Sequence, residues 1–258
     1  MTLYINGKRR DTLIIKKNIF TYQGTWQAKN MANAATHNAK YVGASLGAFN
    51  DDYAERVKNG TFKDMWVGDY FTVNNHKYKI AGFNYKCNHE ENLGLGNHLI
   101  MITDVLGTHS MNSYNSTVGG FVGSSMFKDE MPVVEKQLAT DFGGHLLKFK
   151  SYLSNSVDSS GVPNGGAWYE LTANLCNSAM WSGKPYPDNA GKKYNLGDED
   201  TQLPIMKLNP SEKNSNNQWV WLRDVEGSGY FSGAAGAGSM NWGGASYTGG
   251  VRAFFLID

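Results

Sequence analysis

Apolar positions along the chain fall into short runs more often than into long periodic stretches. Leu3-Tyr4-Ile5, Thr12-Leu13-Ile14-Ile15 and Ile19-Phe20-Thr21-Tyr22 are β-rich runs separated by basic breaks and an Asn6-Gly7 turn. The Asn- and Ala-containing stretch 30–38 follows neither the helical nor the strand period and reads as a linker. From Tyr41 the pattern becomes regular. Asn50 is placed to cap a helix over 51–58, with acids first and bases last, and Asn59-Gly60 stops it. Tyr70-Phe71-Thr72-Val73, an Asn74-Asn75 turn and the run 77–83 alternate as the two arms of a hairpin. His98-Leu99-Ile100-Met101-Ile102 is continuously apolar after its first residue and predicts a buried strand at the centre of a sheet.

Two further helices are expected. Pro132 suits a first helical turn, Val134, Leu138 and Phe142 recur every four residues, and Gly143-Gly144 ends the segment. Trp168, Leu171, Leu175 and Ala179 make one face of the second, which carries Cys176 and closes at Gly183 and Pro185. The pieces 112–125, 154–166 and 183–202 read as long irregular loops, and long ordered loops usually carry function. At the C-terminal end, Trp219-Val220-Trp221-Leu222 and Val251 to Ile257 read as strands flanking the glycine-rich segment 226–250. The large side chains of that segment are Tyr230, Phe231, Met240, Trp242 and Tyr247, while Trp219 and Trp221 are assigned to the core.

Composition narrows what such a body can do. With 258 residues and 41% hydrophobic residues the chain can bury a sizeable core as one large or two small domains. A net charge of +1, with no basic run, removes the electrostatic case for nucleic-acid binding, which needs clustered Lys and Arg. Charged residues make up 18%, against about 25% in an average domain, so the surface is largely polar and uncharged. Cys87 and Cys176 are too few for a disulfide scaffold and wrongly spaced for zinc. No stretch approaches the ~20 apolar residues of a membrane helix, and the start lacks the apolar core of a secretory signal, so folding in a cytosol is expected.

The enzyme motifs are weak. Gly43-Ala44-Ser45-Leu46-Gly47 fits a nucleophile elbow in letters but lacks an immediately following helix. His37, His76, His89, His98, His109 and His145 form no HExxH pair and read as structural. Asp51-Asp52 are explained as charges at a helix start. Glu90-Glu91 and Asp198-Glu199-Asp200 leave open a polysaccharide hydrolase using two acids, and the latter run leaves open a structural calcium site, although no EF-hand spacing is present. Gly227-Ser228-Gly229 departs from the dinucleotide-binding spacing. The glycine-rich aromatic segment is a different signal: rings provide contact area at small entropic cost, and Ser, Gly and Asn provide adaptable hydrogen bonds.

Trp219-Val220-Trp221-Leu222-Arg223-Asp224, the Gly/Ser/Ala-rich segment and Gly250-Val251-Arg252-Ala253-Phe254 together resemble the ending of C-type-lectin-like domains in tailed-bacteriophage virion proteins. Val67-Gly68-Asp69-Tyr70-Phe71-Thr72-Val73, Lys79-Ile80-Ala81-Gly82-Phe83, Gly119-Gly120-Phe121-Val122-Gly123-Ser124 and Gly166-Ala167-Trp168-Tyr169 look like the same family, so the resemblance covers roughly 41–258. It implies an α+β, C-type-lectin-like fold with antiparallel sheets, two main helices and long loops, similar in shape to formylglycine-generating enzymes. The catalytic cysteine pair of those enzymes has no counterpart here, so no activity and no cofactor is implied.

Under the resemblance, ligand contacts fall on Tyr230, Phe231, Met240, Asn241, Trp242 and Tyr247. The family often has Pro where Ala253 stands. The expected organisation is a β-rich arm, 1–38, for attachment or oligomerisation, and a lectin-like domain, 39–258. The implied role is a non-enzymatic virion protein, assembled in the host cytoplasm and oligomeric. Its arm would hold other virion proteins, and its body would meet a host-envelope glycan or protein, without nucleic-acid or membrane insertion. A purely structural capsid decoration or minor capsid protein, and a cell-wall polysaccharide hydrolase, are the competing readings.

Overall fold

The computed structural model describes the backbone of residues 3–5, 8–10, 12–15, 18–21 and 25–258, apart from 89, 93, 186–191, 197–200 and 216. Side chains are described from residue 31 onward, apart from 88–90, 93, 186–192, 196–200 and 216. The chain opens as two antiparallel hairpins, β1 (Leu3–Ile5) with β2 (Lys8–Arg10) and β3 (Thr12–Ile15) with β4 (Asn18–Thr21). The Asn6-Gly7 turn lies outside the described residues.

The stretch expected to be a linker is instead the end of a helix, α1 (Thr25–His37). Its alanines favour helix, and its last turns are held by the body and not by a periodic apolar face. Ala34 and His37 are buried, the His37 ring stacks on Trp66 with centroids 4.6 Å apart, and its Nδ1 meets the Met65 carbonyl at 2.6 Å. Asn38 then brackets Phe83, donating from Nδ2 to its carbonyl and accepting its N–H at Oδ1, at 2.9 and 2.8 Å. Residues 31–38 are thus structurally part of the body.

After β5 (Ser45–Gly47) comes α2 (Asp51–Lys58), where Asn50 Oδ1 accepts the N–H groups of Asp52 and Tyr53, as its position before the acids predicts. The hairpin of β6 (Tyr70–Val73) and β7 (His76–Phe83) turns on Asn74 and Asn75, both at positive φ (48° and 66°), the two-residue geometry that matches strand twist. Every residue of β8 (Leu99–Thr103) is buried. Short β9 (Thr108–Ser110) and a looping stretch lead through a single π turn at Met126–Glu130 into α3 (Met131–Phe142), which buries Val134, Leu138 and Phe142 and stops at Gly143, φ 54°. Asp141 accepts hydrogen bonds from Asn74 and Tyr78 and meets His76 Nδ1 at 3.0 Å, tying the β6–β7 hairpin to α3.

Beyond β10 (Leu146–Leu147) the second expected helix is absent. Residues 149–171 form a long hairpin, β11 (Phe149–Val157) with β12 (Pro163–Leu171), followed by β13 (Ala173–Leu175) and only then by the five-residue α4 (Ser178–Ser182). The helical spacing of Trp168, Leu171, Leu175 and Ala179 is coincidental. An unbroken register from Phe149↔Leu171 to Ser154↔Gly166 satisfies the backbone instead, and Trp168 packs edge-on against Tyr152. Most of 154–166 is therefore strand, not irregular loop, and buried Cys176 sits between β13 and α4.

Helices α5 (Lys192–Leu196) and α6 (Pro204–Leu208) precede β14 (Val220–Gly227), β15 (Tyr230–Ala234), β16 (Met240–Gly244), β17 (Thr248–Gly250) and β18 (Ala253–Ile257). Two main sheets result, making a mixed α+β body with few helices. One runs β10–β18–β8–β7–β6–β5, with β13 also on β18; the other runs β16–β15–β14–β17–β9. Pairing is antiparallel except for β5 with β6 and β14 with β17. The last strand of the chain, fully buried, thus lies inside the larger sheet. Among the described residues no helix is long and apolar enough to cross a membrane.

Candidate functional site

The glycine-rich segment 226–250 is mostly sheet, because β15, β16 and β17 pair in order around β14 and across to β9. Its glycines chiefly make room. Trp219 and Trp221, two apart, pack edge to face with ring centroids 4.2 Å apart. A Cβ on Gly233 would lie 2.1 Å from Trp219 Cζ2, and one on Gly249 would lie 2.5 Å from Trp219 Cε3. Only residues without side chains let the strands close over this indole pair. Trp221 is fully buried and its Nε1 donates to the His109 carbonyl at 2.8 Å, as its assignment to the core requires. Trp219 departs from that assignment: it is only partly buried and forms part of a groove.

This groove, of about 640 Å³, is lined by Trp219, Tyr230, Trp242, Gly243, Gly244, Tyr247, Thr248 and Asn115. Trp242 is 51% exposed and Tyr247 68% exposed, and Tyr230 stands perpendicular to Trp242 with centroids 4.8 Å apart. None of the lining side chains is charged.

A distant segment supplies one wall. Asn115 Oδ1 accepts from both the backbone N–H and the hydroxyl of Ser246, at 3.0 and 2.8 Å. The Asn112 N–H donates to the Ala245 carbonyl, and the Thr117 hydroxyl to the Gly227 carbonyl. The Ala245 N–H in turn donates to Gly229. The turn before β15 and the turn after β16 meet at the Tyr230–Gly244 end of the ribbon and are held in place there by side-chain and main-chain hydrogen bonds, so the rings stand on a fixed support.

Of the residues expected to contact ligand, Tyr230, Trp242 and Tyr247 are brought together in the groove. Asn241 is exposed, and its Oδ1 accepts its neighbour's N–H, that of Trp242. Met240 is half-buried against the core. Phe231 is fully buried and is removed from the contact set, since alternation along β15 sends it into the core. Asn115 and Thr248 escaped sequence reasoning: a lone Asn in a loop 131 residues from its partner Ser246 carries no local signal. Exposed Tyr114 and Val118 lie in the same loop as Asn115.

The other chemical motifs resolve into structure. Ser45 sits on a short edge strand, and its Oγ faces the Gly47 N–H at 3.4 Å, with no helix directly after it. His98 is fully buried, accepts the Lys86 N–H at Nε2, and bonds Gly96 through Nδ1; burial lowers its pKa to about 4. Cys87 and Cys176 are not joined in a disulfide, and burial pushes the Cys87 thiol up to about 12. Gly227-Ser228-Gly229 makes the turn between β14 and β15. The acidic run Asp198-Glu199-Asp200, the His89 residue and the Glu90 side chain lie outside the described residues. Among the described residues no group of three or more His, Cys, Asp or Glu is gathered. Set against known proteins, the chain matches no family model, no curated protein and no solved structure.

Proposed function

We propose that this protein is a recognition module of a bacteriophage virion, non-enzymatic, whose aromatic groove captures a molecule of the host-cell envelope. One observation carries the recognition reading: four rings, those of Trp219, Tyr230, Trp242 and Tyr247, converge on a preformed groove without a charged side chain. Rigid rings give large contact area for little lost rotamer freedom, and an uncharged lining favours neutral faces such as sugar rings or apolar side chains. The C-type-lectin-like architecture and the virion setting rest on the order of the sequence motifs. In this reading the β1–β2 and β3–β4 hairpins attach the body to the particle, and several copies supply avidity.

The test uses purified full-length protein, bacterial cells and cell-envelope extracts. Saturable binding that falls at least about tenfold in the Trp242→Ala, Tyr247→Ala double variant is the expected result. Undiminished binding by a folded double variant removes the groove from the function.

A further inference from the structure

Exposed large apolar side chains are not spread evenly over the body. Val42, Val133 and Leu208 stand singly on three separate parts of the chain, as such residues commonly do. The others among the described residues, Tyr114, Val118, Tyr230, Trp242 and Tyr247, belong to the groove or to the loop that walls it. Tyr114, 69% exposed, precedes Asn115 of the groove wall. Val118, 76% exposed, follows Thr117, whose N–H and hydroxyl donate to the Ser228 and Gly227 carbonyls in the turn leading to Tyr230.

This loop is held by the body and from within. Asn112 donates its N–H to Ala245 and its Nδ2 to the Ser116 carbonyl at 2.7 Å, while its Oδ1 accepts the Ser125 N–H at 2.9 Å. The Ser116 hydroxyl oxygen accepts the Val118 N–H at 3.3 Å, and the Thr117 carbonyl accepts from Gly120. A slack loop would tuck its valine and tyrosine away from water. A loop pinned at these points holds them out, and their ordering for a partner is already done on folding.

The hydrogen-bonding groups of the groove narrow the partner's chemistry. Its side chains include no carboxylate, and the one amide oxygen, Asn115 Oδ1, already accepts twice from Ser246. What remains for a ligand are donors, Asn115 Nδ2 and the indole N–H groups of Trp219 and Trp242, and the two-way hydroxyls of Tyr230, Tyr247 and Thr248. A glycan brings many O–H groups, each of which needs an acceptor once it leaves water. A polypeptide brings carbonyl acceptors and apolar side chains, which match donors set among rings. Val118 favours the same partner, since a branched aliphatic group can make no hydrogen bond to a hydroxylated surface. A polypeptide interface engages roughly 20–30 residues a side, so it must reach past the eight that line the groove.

We infer that Tyr114 and Val118 extend the groove into one docking surface for a polypeptide of the host-cell envelope, whose contacting face is apolar and uncharged. This rests on the groove being a recognition site, and adds to it a second contact region and the class of the ligand.

The experiment measures binding of the purified full-length protein to bacterial cell-envelope extract in three forms: intact, digested with proteinase K and freed of the protease, or oxidised with periodate to destroy sugar diols. The Tyr114→Ser, Val118→Ser double variant is expected to bind intact extract at least about fivefold more weakly, with an unchanged melting temperature. If the pair lowers the melting temperature, Val118→Thr, which keeps the side chain's shape, makes the same comparison. Digestion should abolish binding by the unsubstituted protein, and periodate should leave it. Full binding by the loop variant, beside loss in Trp242→Ala, Tyr247→Ala, confines the ligand to the groove, which overturns the extension and leaves the recognition reading standing. Binding that survives digestion, or that periodate removes, overturns the polypeptide and makes the ligand a glycan. An absence of binding by the unsubstituted protein removes the recognition reading and this surface with it.

Discussion

The indole of Trp219 fills the space that a side chain on Gly233 would need, with a hypothetical Cβ only 2.1 Å from Cζ2. Replacing Gly233 by Ala must therefore move the ring or open β14 from β15. We expect Gly233→Ala to destabilise by about 2 kcal/mol, as overpacking does, and to shift tryptophan emission by exposing the Trp219–Trp221 pair. Urea unfolding and fluorescence spectra check both.

Asn115 binds the 244–247 turn from a segment far away in sequence. Asn115→Ala removes two hydrogen bonds at an exposed place, so a loss of no more than about 1 kcal/mol is expected. The informative change is local: amide exchange of Ser246 and Tyr247 should accelerate more than that of β8. Uniform acceleration across the chain would mean that Asn115 only adds global stability.

Acid should weaken the contact between the segment after α6 and the central sheet. Glu212 accepts from Lys79 Nζ and from the Tyr41 hydroxyl, each at 2.7 Å, and Arg252 Nη2 stands 3.9 Å away. Burial raises the Glu212 pKa, but these bonds and charges outweigh it and hold the carboxyl below its usual value of 4.5. Because the folded pKa is depressed, its contribution is present above the unfolded pKa and lost as pH falls through the folded one. Urea midpoints measured from pH 6 down to pH 2.5 should decline in this window, and less steeply in Glu212→Gln. At pH 7 the same variant should lose about 3 kcal/mol, since Lys79 and Arg252 remain without their counter-charge.

The position of α1 predicts two different truncations. Removing residues 1–24 should leave the body's thermal transition in place. Removing 1–38 also deletes the buried His37 ring and the Asn38 bonds to Phe83, and should lower stability by about 2 kcal/mol or more. Equal melting of the two truncations would show that α1 is dispensable to the body.

Elements whose signals are local were legible in the residues alone. Asn50 before two acids placed α2, Asn74-Asn75 placed the β6–β7 turn, and Pro132 with Gly143 bounded α3, because caps and turns depend on neighbours within four residues. The aromatic composition of 226–250 likewise pointed to Tyr230, Trp242 and Tyr247.

Tertiary structure decided what depends on distant partners. The β11–β12 ladder overrode a helical spacing, docking against Trp66 and Phe83 held the end of α1, and strand alternation buried Phe231. The groove itself exists because Asn115 meets Ser246 and His109 meets Trp221 across more than a hundred residues. Such pairs lower the free energy only after the chain has closed the loop between them, so no local window of sequence contains the information that selects them.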